Sequence, residues 1–273
     1  MQVYRDFSMH ESRNIKLLIA YDGTDFCGWQ KQERPPENQS PGSGKSEHAR
    51  SVQGIIENAL FEMHGEPVGL TGSGRTDSGV HAAGQAANFY TNIPGIPPER
   101  FAPALNSLLP RDVRILASSQ ASPDFHARFD AAMRTYRYHF IPGRFMLPHE
   151  SRYNVRIYRY PKLDALNSYC RLILGEQDCA MFAGAGDTSK SFNRYISNAV
   201  FFFDGGRLIF EISANAFLRK MVRSIAGTLL HYEETGTPPE QLRDIIAQKD
   251  RSLAGPTLPP QGLFLWKIEF SRE

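Results

Sequence analysis

The fold is best read from residues 68–91, whose sequence is VGLTGSGRTDSGVHAAGQAANFYT. The apolar and β-branched residues at 68–71 and at 85–91 predict two strands. Three glycines lie within eight residues between these strands, which indicates a backbone that turns tightly or is closely approached by another group. The stretch therefore predicts two strands joined by a glycine-rich loop that carries Arg75 and Asp77.

The elements on either side complete a β-α-β-β-α-β unit. The apolar residues of segment 51–64 recur at helical spacing, with Ser51 as the predicted N-cap and Gly65 as the predicted C-terminal glycine. The other elements predicted in this unit are a helix at 98–109 and strands at 15–21 and 113–119.

A second unit with the same order of elements follows. Tyr136, Tyr138 and Phe140 alternate along a predicted strand at 135–141. The sequence Asp204-Gly205-Gly206 predicts a tight hairpin. The other elements predicted here are helices at 163–174, 216–232 and 241–248 and strands at 195–203, 208–213 and 263–270.

The repeated order of elements predicts the architecture. We expect an α+β fold in which two βαββαβ halves form a mixed, mostly antiparallel central sheet flanked by helices. The N-terminal half spans residues 1–122 and the C-terminal half spans residues 123–273, with the cleft between them as a natural ligand site. Residues 33–50 are rich in Pro, Ser, Gly, Asn and Gln, which predicts a flexible insertion in the first half.

The composition excludes several classes of protein. The 31 Lys and Arg residues exceed the 29 Asp and Glu residues only slightly, so the net charge alone does not indicate a nucleic-acid partner. Cys27, Cys170 and Cys179 form no C-x-x-C pair, which argues against a structural zinc site and favours a reducing compartment. Neither a signal peptide nor an apolar run of the ~20 residues needed for a membrane helix is present. We therefore expect a cytoplasmic protein that crosses no membrane.

The glycine-rich loop holds the strongest candidate for catalysis. Arg75 and Asp77 are two residues apart, so their side chains point to the same side if the backbone is extended. An aspartate on a loop beside cationic groups stays ionised, which suits a nucleophile or a general base. The alternative is a glycine-rich turn with a structural Arg–Asp pair, which is more common than a catalytic loop.

Segment 123–160 is the second candidate. It contains seven arginines and no lysine, with five tyrosines and four phenylalanines among them. Arginine binds phosphate through its planar fork and aromatic rings stack on unpaired bases, so the pattern favours a surface for looped RNA. An ordinary strand pair, with arginines outside and aromatics in the core, explains the same alternation about as well.

The predicted helix at 216–232 is the third candidate. Arg219 and Arg223 lie four residues apart on its flank, where both could point at one anion or carboxylate. A solvated basic helix face is the more common explanation. His81 and His126 have no second histidine or cysteine at ligand spacing, so we interpret both as structural and predict no metal site.

A series of short motifs runs across residues 15–270. The motifs are Tyr21-Asp22-Gly23-Thr24-Asp25-Phe26-Cys27-Gly28-Trp29-Gln30, Ser51-Val52-Gln53-Gly54, Gly74-Arg75-Thr76-Asp77-Ser78-Gly79-Val80-His81-Ala82, Ala104-Leu105-Asn106, Phe125-His126-Ala127-Arg128-Phe129, Arg134-Thr135-Tyr136-Arg137-Tyr138, Asn215-Ala216-Phe217-Leu218-Arg219-Lys220-Met221-Val222-Arg223 and Gly262-Leu263. In kind and in order, these motifs resemble those of the TruA-type tRNA pseudouridine synthases. The segment 176–182 lacks the His-Asp-Phe usual in that family, and the insertion at 33–50 is longer than usual.

The resemblance implies a role for four residues. It implies that Asp77 is the catalytic aspartate, that Arg223 is its basic partner and that Tyr136 stacks on the target base. It also implies that Arg75 fills the gap that the flipped base leaves in the RNA. The fold implied is the pseudouridine synthase fold, two α+β halves that share one mixed sheet with the site in the central cleft.

The function implied is conversion of uridine to pseudouridine at positions 38, 39 and 40 of the tRNA anticodon stem-loop by a homodimer. The reaction detaches uracil at N1 and rejoins it at C5, so neither a metal nor another cofactor is expected. Asp77 either attacks the sugar or assists removal of a sugar proton. The alternatives from the residues are a glycosidase that releases uracil, a non-catalytic RNA-binding module, and a related synthase that acts at another RNA site.

Overall fold

The computed structural model describes residues 12–31, 50–143 and 145–271. The predicted insertion at 33–50 lies outside the described residues except for Arg50, and so does Arg144 of the arginine-rich segment. Within the described residues, none of the helices combines the length and the apolar character needed to cross a bilayer.

The order of strands and helices along the described parts of the chain follows the prediction, with two additional short strands in the second half. The helices are α1 (Val52–His64), α2 (Phe101–Leu108), α3 (Leu163–Leu172), α4 (Met221–Thr235) and α5 (Pro239–Ala247). The strands are β1 (Arg13–Tyr21), β2 (Thr71–Gly72), β3 (His81–Thr91), β4 (Val113–Gln120), β5 (Ala131–Pro142), β6 (Val155–Ile157), β7 (Gly175–Asp178), β8 (Asn193–Asp204), β9 (Arg207–Ala214) and β10 (Leu263–Phe270).

The strands form one sheet that runs through both predicted halves. Its order is β4-β1-β3-β10-β5-β9-β8-β7, with β2 on β3 and β6 on β5. The pairs β3–β10 and β5–β6 are parallel, and the other pairs are antiparallel. The predicted α+β fold with a mixed, mostly antiparallel sheet is therefore confirmed, whereas the division at residue 122 stays a prediction.

The helices and one face of the sheet enclose a single core. Ile15, Leu17 and Ile19 of β1 are fully buried in it, while Lys16 and Leu18 point to the opposite face, as strand geometry requires. All five helices contribute side chains to this core, including Ile56, Phe101, Leu166, Met221 and Leu242.

Local sequence signals set several boundaries correctly. The Ser51 hydroxyl caps α1 by accepting a hydrogen bond from the Gly54 amide, and Gly65 ends the helix with a φ of 73°. Gly205 and Gly206 both have positive φ angles and join β8 to β9 as a two-residue hairpin.

Other boundaries were wrong because tertiary contacts decide them. The strand predicted at 68–71 is reduced to Thr71–Gly72. β3 begins at His81 instead of residue 85, because Phe264 of β10 pairs with His81. The helix predicted at 163–174 ends at Leu172, because the chain turns at Gly175 into β7. The short strands β6 and β7 carry no periodic pattern that would have predicted them.

His139 on β5 gives the fold a pH-dependent stability. Burial first, and then the positive charges of Arg207 and Arg137, lower its pKa from 6.5 to about 4. The unfolded chain therefore binds a proton that the folded protein excludes, so the free energy of unfolding falls as the pH drops from 6.5 towards 4, by at most about 3 kcal/mol.

We expect His139→Gln to remove this part of the pH dependence, measured by urea unfolding at about pH 7 and about pH 4.5. The same substitution at the exposed His149 is the control and should leave the wild-type slope. A His139→Gln protein with the wild-type slope would show that the ring is not excluded from protonation in the fold.

Candidate active site

Asp77 and Arg223 meet across the molecule although 146 residues separate them. Asp77 lies in the loop between β2 and β3, and Arg223 lies in the first turn of α4. Arg223 Nη1 is 3.1 Å from Asp77 Oδ2, and Arg223 Nε donates a hydrogen bond of 2.7 Å to the carbonyl of Leu258. The aspartate side chain is 26% exposed and the arginine 12% exposed. A partly accessible carboxylate is thus fixed beside a nearly buried cation.

The loop before Asp77 is held by neighbouring segments. Thr76 Oγ1 is 2.8 Å from the hydroxyl of Tyr21, and the amide of Trp29 donates to the Thr76 carbonyl. Gly28 has a φ of 114°, and a Cβ at this position would lie 2.5 Å from the Thr76 carbonyl oxygen. Glycine is therefore required where the first turn of the chain packs against the Asp77 loop.

Arg75 is not the ionic partner of Asp77. Its side chain is exposed, and its Nε donates to Oε1 of Gln30 at 3.0 Å. The Arg–Asp pair that a purely structural turn would contain is therefore absent from this loop, and Arg75 lies at the surface beside it.

Tyr136 lies on β5 and is 8% exposed. Its ring packs edge-to-face against Phe217, with centroids 5.1 Å apart. Burial, and then the negative charge of Asp77, raise the pKa of the Tyr136 hydroxyl, so this group is near the aspartate and stays protonated. No side chain of the described residues hydrogen-bonds to that hydroxyl.

The prediction that a helix spans 216–232 was wrong at its start. α4 begins at Met221, because Lys220 has a φ of 59° and the Arg219 carbonyl accepts a hydrogen bond from the Gly184 amide. Arg219 therefore does not lie one helical turn from Arg223. Its Nη1 donates to the Ala185 carbonyl, and the predicted convergence of the two arginines on one carboxylate does not occur.

The strand interpretation of segment 123–160 holds along β5, whereas the interpretation as a surface for RNA stays a prediction. Along β5, Tyr138 and Phe140 are buried in the core while Arg137 pairs with Glu211 on the other face. Further along, Tyr158 is 78% exposed and has the guanidinium of Arg156 over its ring. The strand accounts for the alternation, and the surface beyond it retains exposed aromatics beside arginines.

Several residues around the site carried no signal that pointed to this position. The hydroxyl of Tyr138 donates to the carbonyl of Pro259, and burial raises its pKa. Leu258 enters the site only through its main chain. Such contacts depend on long-range packing, so only the fold reveals them.

The structural interpretation of His81 agrees with its surroundings. The ring is fully buried, accepts from the Gly23 amide through Nδ1 and lies 3.0 Å from the Arg152 carbonyl through Nε2. Burial lowers the pKa of His81. In the described parts of the chain, no three His, Cys, Asp or Glu side chains cluster as metal ligands would.

The chain is similar to known proteins over most of its length. A family model described as tRNA pseudouridine synthase matches residues 17–130 and 169–271. Asp77 and Arg223 fall inside these matched stretches, and Tyr136 falls between them.

Curated relatives agree with the family model. The tRNA pseudouridine synthase A of Treponema denticola is 51% identical over 96% of this chain and 94% of its own length. The protein of the same name from Treponema pallidum is 48% identical over 91% of this chain and 85% of its own length. That of Caldicellulosiruptor saccharolyticus is 41% identical over 94% of this chain and its full length. The chain therefore belongs to the tRNA pseudouridine synthase family.

Proposed function

We propose that the protein isomerises uridine to pseudouridine in tRNA, at positions 38, 39 and 40 of the anticodon stem-loop, with Asp77 as the catalytic carboxylate. The observation that carries this proposal is the 3.1 Å contact between the partly exposed carboxylate of Asp77 and the nearly buried guanidinium of Arg223. Family membership supports the reaction, and the contact supports the residue.

The reaction breaks and forms the same number of bonds and needs no other reactant. The C1′–N1 bond of uridine breaks, the uracil turns, a C1′–C5 bond forms, and the proton at C5 is lost while N1 gains one. Atoms and electrons are conserved, so no redox or energy cofactor is needed. Asp77 acts at the sugar, either by attack on C1′ or by assisting removal of a sugar proton, and both roles need the negative charge beside Arg223.

The target base must leave its stack, at a cost of a few kcal/mol. Tyr136 supports this step because its hydroxyl lies near the charge of Asp77 and has no hydrogen-bond partner among the described side chains. Stacking of the flipped uracil on this ring offsets part of the cost. The exposed Arg75, whose side chain donates to Gln30 among the described residues, occupies the gap that the flipped base leaves.

We expect Tyr136→Phe to keep more activity than Tyr136→Leu, because phenylalanine preserves the stacking surface, worth about 1–3 kcal/mol for a base on a ring. The leucine variant should lose roughly 10-fold or more in single-turnover rate on an anticodon stem-loop RNA. Equal losses in the two variants would instead assign the role to the hydroxyl.

We further propose a homodimer. The face of the sheet opposite the helices contains an open depression of about 380 Å³ at β1, β3, β4 and β10. Leu18, Trp266, Ile268 and Phe270 line it, and an exposed apolar surface of this kind favours a protein partner. Light scattering should give twice the 30.8 kDa mass of the chain, and a single-chain mass would contradict the dimer.

We also retain the two halves, residues 1–122 and 123–273, and a cytoplasmic location as proposals. The three cysteines support the location because none forms a disulfide with another.

The function itself is tested by mapping pseudouridine in tRNA after incubation with the protein. Modification confined to positions 38, 39 and 40 is expected, and modification at other positions only would contradict the proposed target.

A further inference from the structure

Arg134 makes four hydrogen bonds that join three parts of the chain. Its Nη1 donates to the carbonyls of Ala131 at 2.8 Å and Asn215 at 2.6 Å. Its Nη2 donates to the carbonyls of Ser73 and Arg128, both at 3.0 Å. A single guanidinium therefore links the beginning of β5 to segments 61 and 81 residues away.

The chemistry of this contact is unusual for a cation. All four acceptors are main-chain carbonyls, and burial lowers the pKa of the Arg134 guanidinium without an opposing carboxylate among the described residues. A half-buried cation without a counter-ion is costly. Only a planar group with five N–H donors can reach four carbonyls in different directions, because lysine presents its three donors from one point.

The segments that Arg134 joins are those that lead to the proposed catalytic pair. Ser73 lies immediately before the loop that carries Asp77. Asn215 lies immediately after β9, and the chain passes from there through Phe217 to Arg223. Phe217 in turn packs on Tyr136. Arg134 thus connects the approach to the carboxylate with the approach to its cationic partner.

We propose that Arg134 is a positioning residue for the isomerisation. It sets the spacing between the Asp77 loop and the segment that leads to α4. It thereby fixes the relative positions of the carboxylate, Arg223 and the Tyr136 ring. A displacement of about 1 Å in such a site costs on the order of 100-fold in rate. The inference rests on the proposed function, because it assigns a residue to that reaction.

The test compares Arg134→Lys and Arg134→Gln with Arg13→Lys. Arg13 is also a part-buried arginine that donates to main-chain carbonyls, those of Ile93 and Ile96. The loop that contains these two carbonyls carries none of the site residues. We expect both Arg134 variants to lose roughly 30- to 100-fold in single-turnover rate. The Kd for tRNA should stay within about threefold of wild type, since positioning is lost and the RNA surface is kept. Arg13→Lys should keep the wild-type rate.

Hydrogen–deuterium exchange gives a readout that does not depend on activity. Amides of residues 72–78 should exchange faster in Arg134→Lys than in wild type, and at the wild-type rate in Arg13→Lys. If Arg134→Gln does not fold, the lysine variant and its exchange decide the question.

Two results would overturn the proposal. One is a wild-type rate in Arg134→Lys, and the other is a rate loss no larger than that of Arg13→Lys at a matched fall in Tm. Failure of the proposed function is distinguishable from both, because the wild-type protein itself would then form no pseudouridine.

Discussion

Asp77→Asn is expected to abolish pseudouridine formation while tRNA binding persists. The amide has nearly the shape of the carboxylate, but it has no charge and can neither attack C1′ nor accept a sugar proton. Loss of a catalytic carboxylate of this kind costs on the order of 10⁴-fold in rate. The carboxylate is partly exposed, and the amide oxygen of asparagine can still accept a hydrogen bond from Arg223, so the variant should stay folded.

Two assays on one tRNA measure this result. Pseudouridine mapping reports the reaction, and filter binding reports the Kd. Asp244→Asn is the control because this aspartate is exposed on α5, and it should keep the wild-type rate. Turnover by Asp77→Asn within about tenfold of wild type would remove the carboxylate from the chemistry.

Arg223→Gln is expected to have the second-largest effect. The substitution removes the cation at 3.1 Å from Asp77 and weakens the link to the Leu258 carbonyl. Removing one fixed electrostatic partner from a catalytic site costs roughly 10²- to 10³-fold in rate. The rate of Arg223→Lys should lie between that of Arg223→Gln and that of wild type, because lysine keeps the charge but cannot reach both partners through a planar fork.

A double variant separates a joint role from two independent roles. If Arg223 acts through Asp77, then Asp77→Asn combined with Arg223→Gln should be about as inactive as Asp77→Asn alone. Arg243→Gln on the exposed side of α5 is the matched control. Multiplicative losses in the double variant would mean that Arg223 contributes separately from the aspartate.

Local signals in the sequence were sufficient for much of the fold. Ser51 and the glycines at 65, 205 and 206 act through their own backbone or nearest neighbours, so α1 and the β8–β9 hairpin could be predicted from them. The start of α4 could not. Phe217 and Leu218 lie at helical spacing from Met221 and Val222. The backbone around Phe217 and Leu218 nevertheless bonds to the 184–187 loop, and Lys220 adopts a left-handed conformation.

The site was predictable only in part, because several of its contacts join segments that are distant in the sequence. The glycines, Arg75 and Asp77 lie in one short loop, so their sequence marks a special backbone. The partnership between Asp77 and Arg223 was expected from resemblance alone, because charge patterns do not reveal contacts across 146 residues. The four carbonyls around Arg134 and the Leu258 carbonyl at Arg223 have no side-chain signature at all.

We propose that Asp77 serves an isomerisation in which uracil leaves C1′ and returns through C5. The most direct measurement uses an anticodon stem-loop RNA labelled with tritium at C5 of its uridines. We expect the wild-type protein to release tritium to water while the RNA keeps every base, and Asp77→Asn to release none. Labelled free uracil, or tritium release by Asp77→Asn, would contradict it.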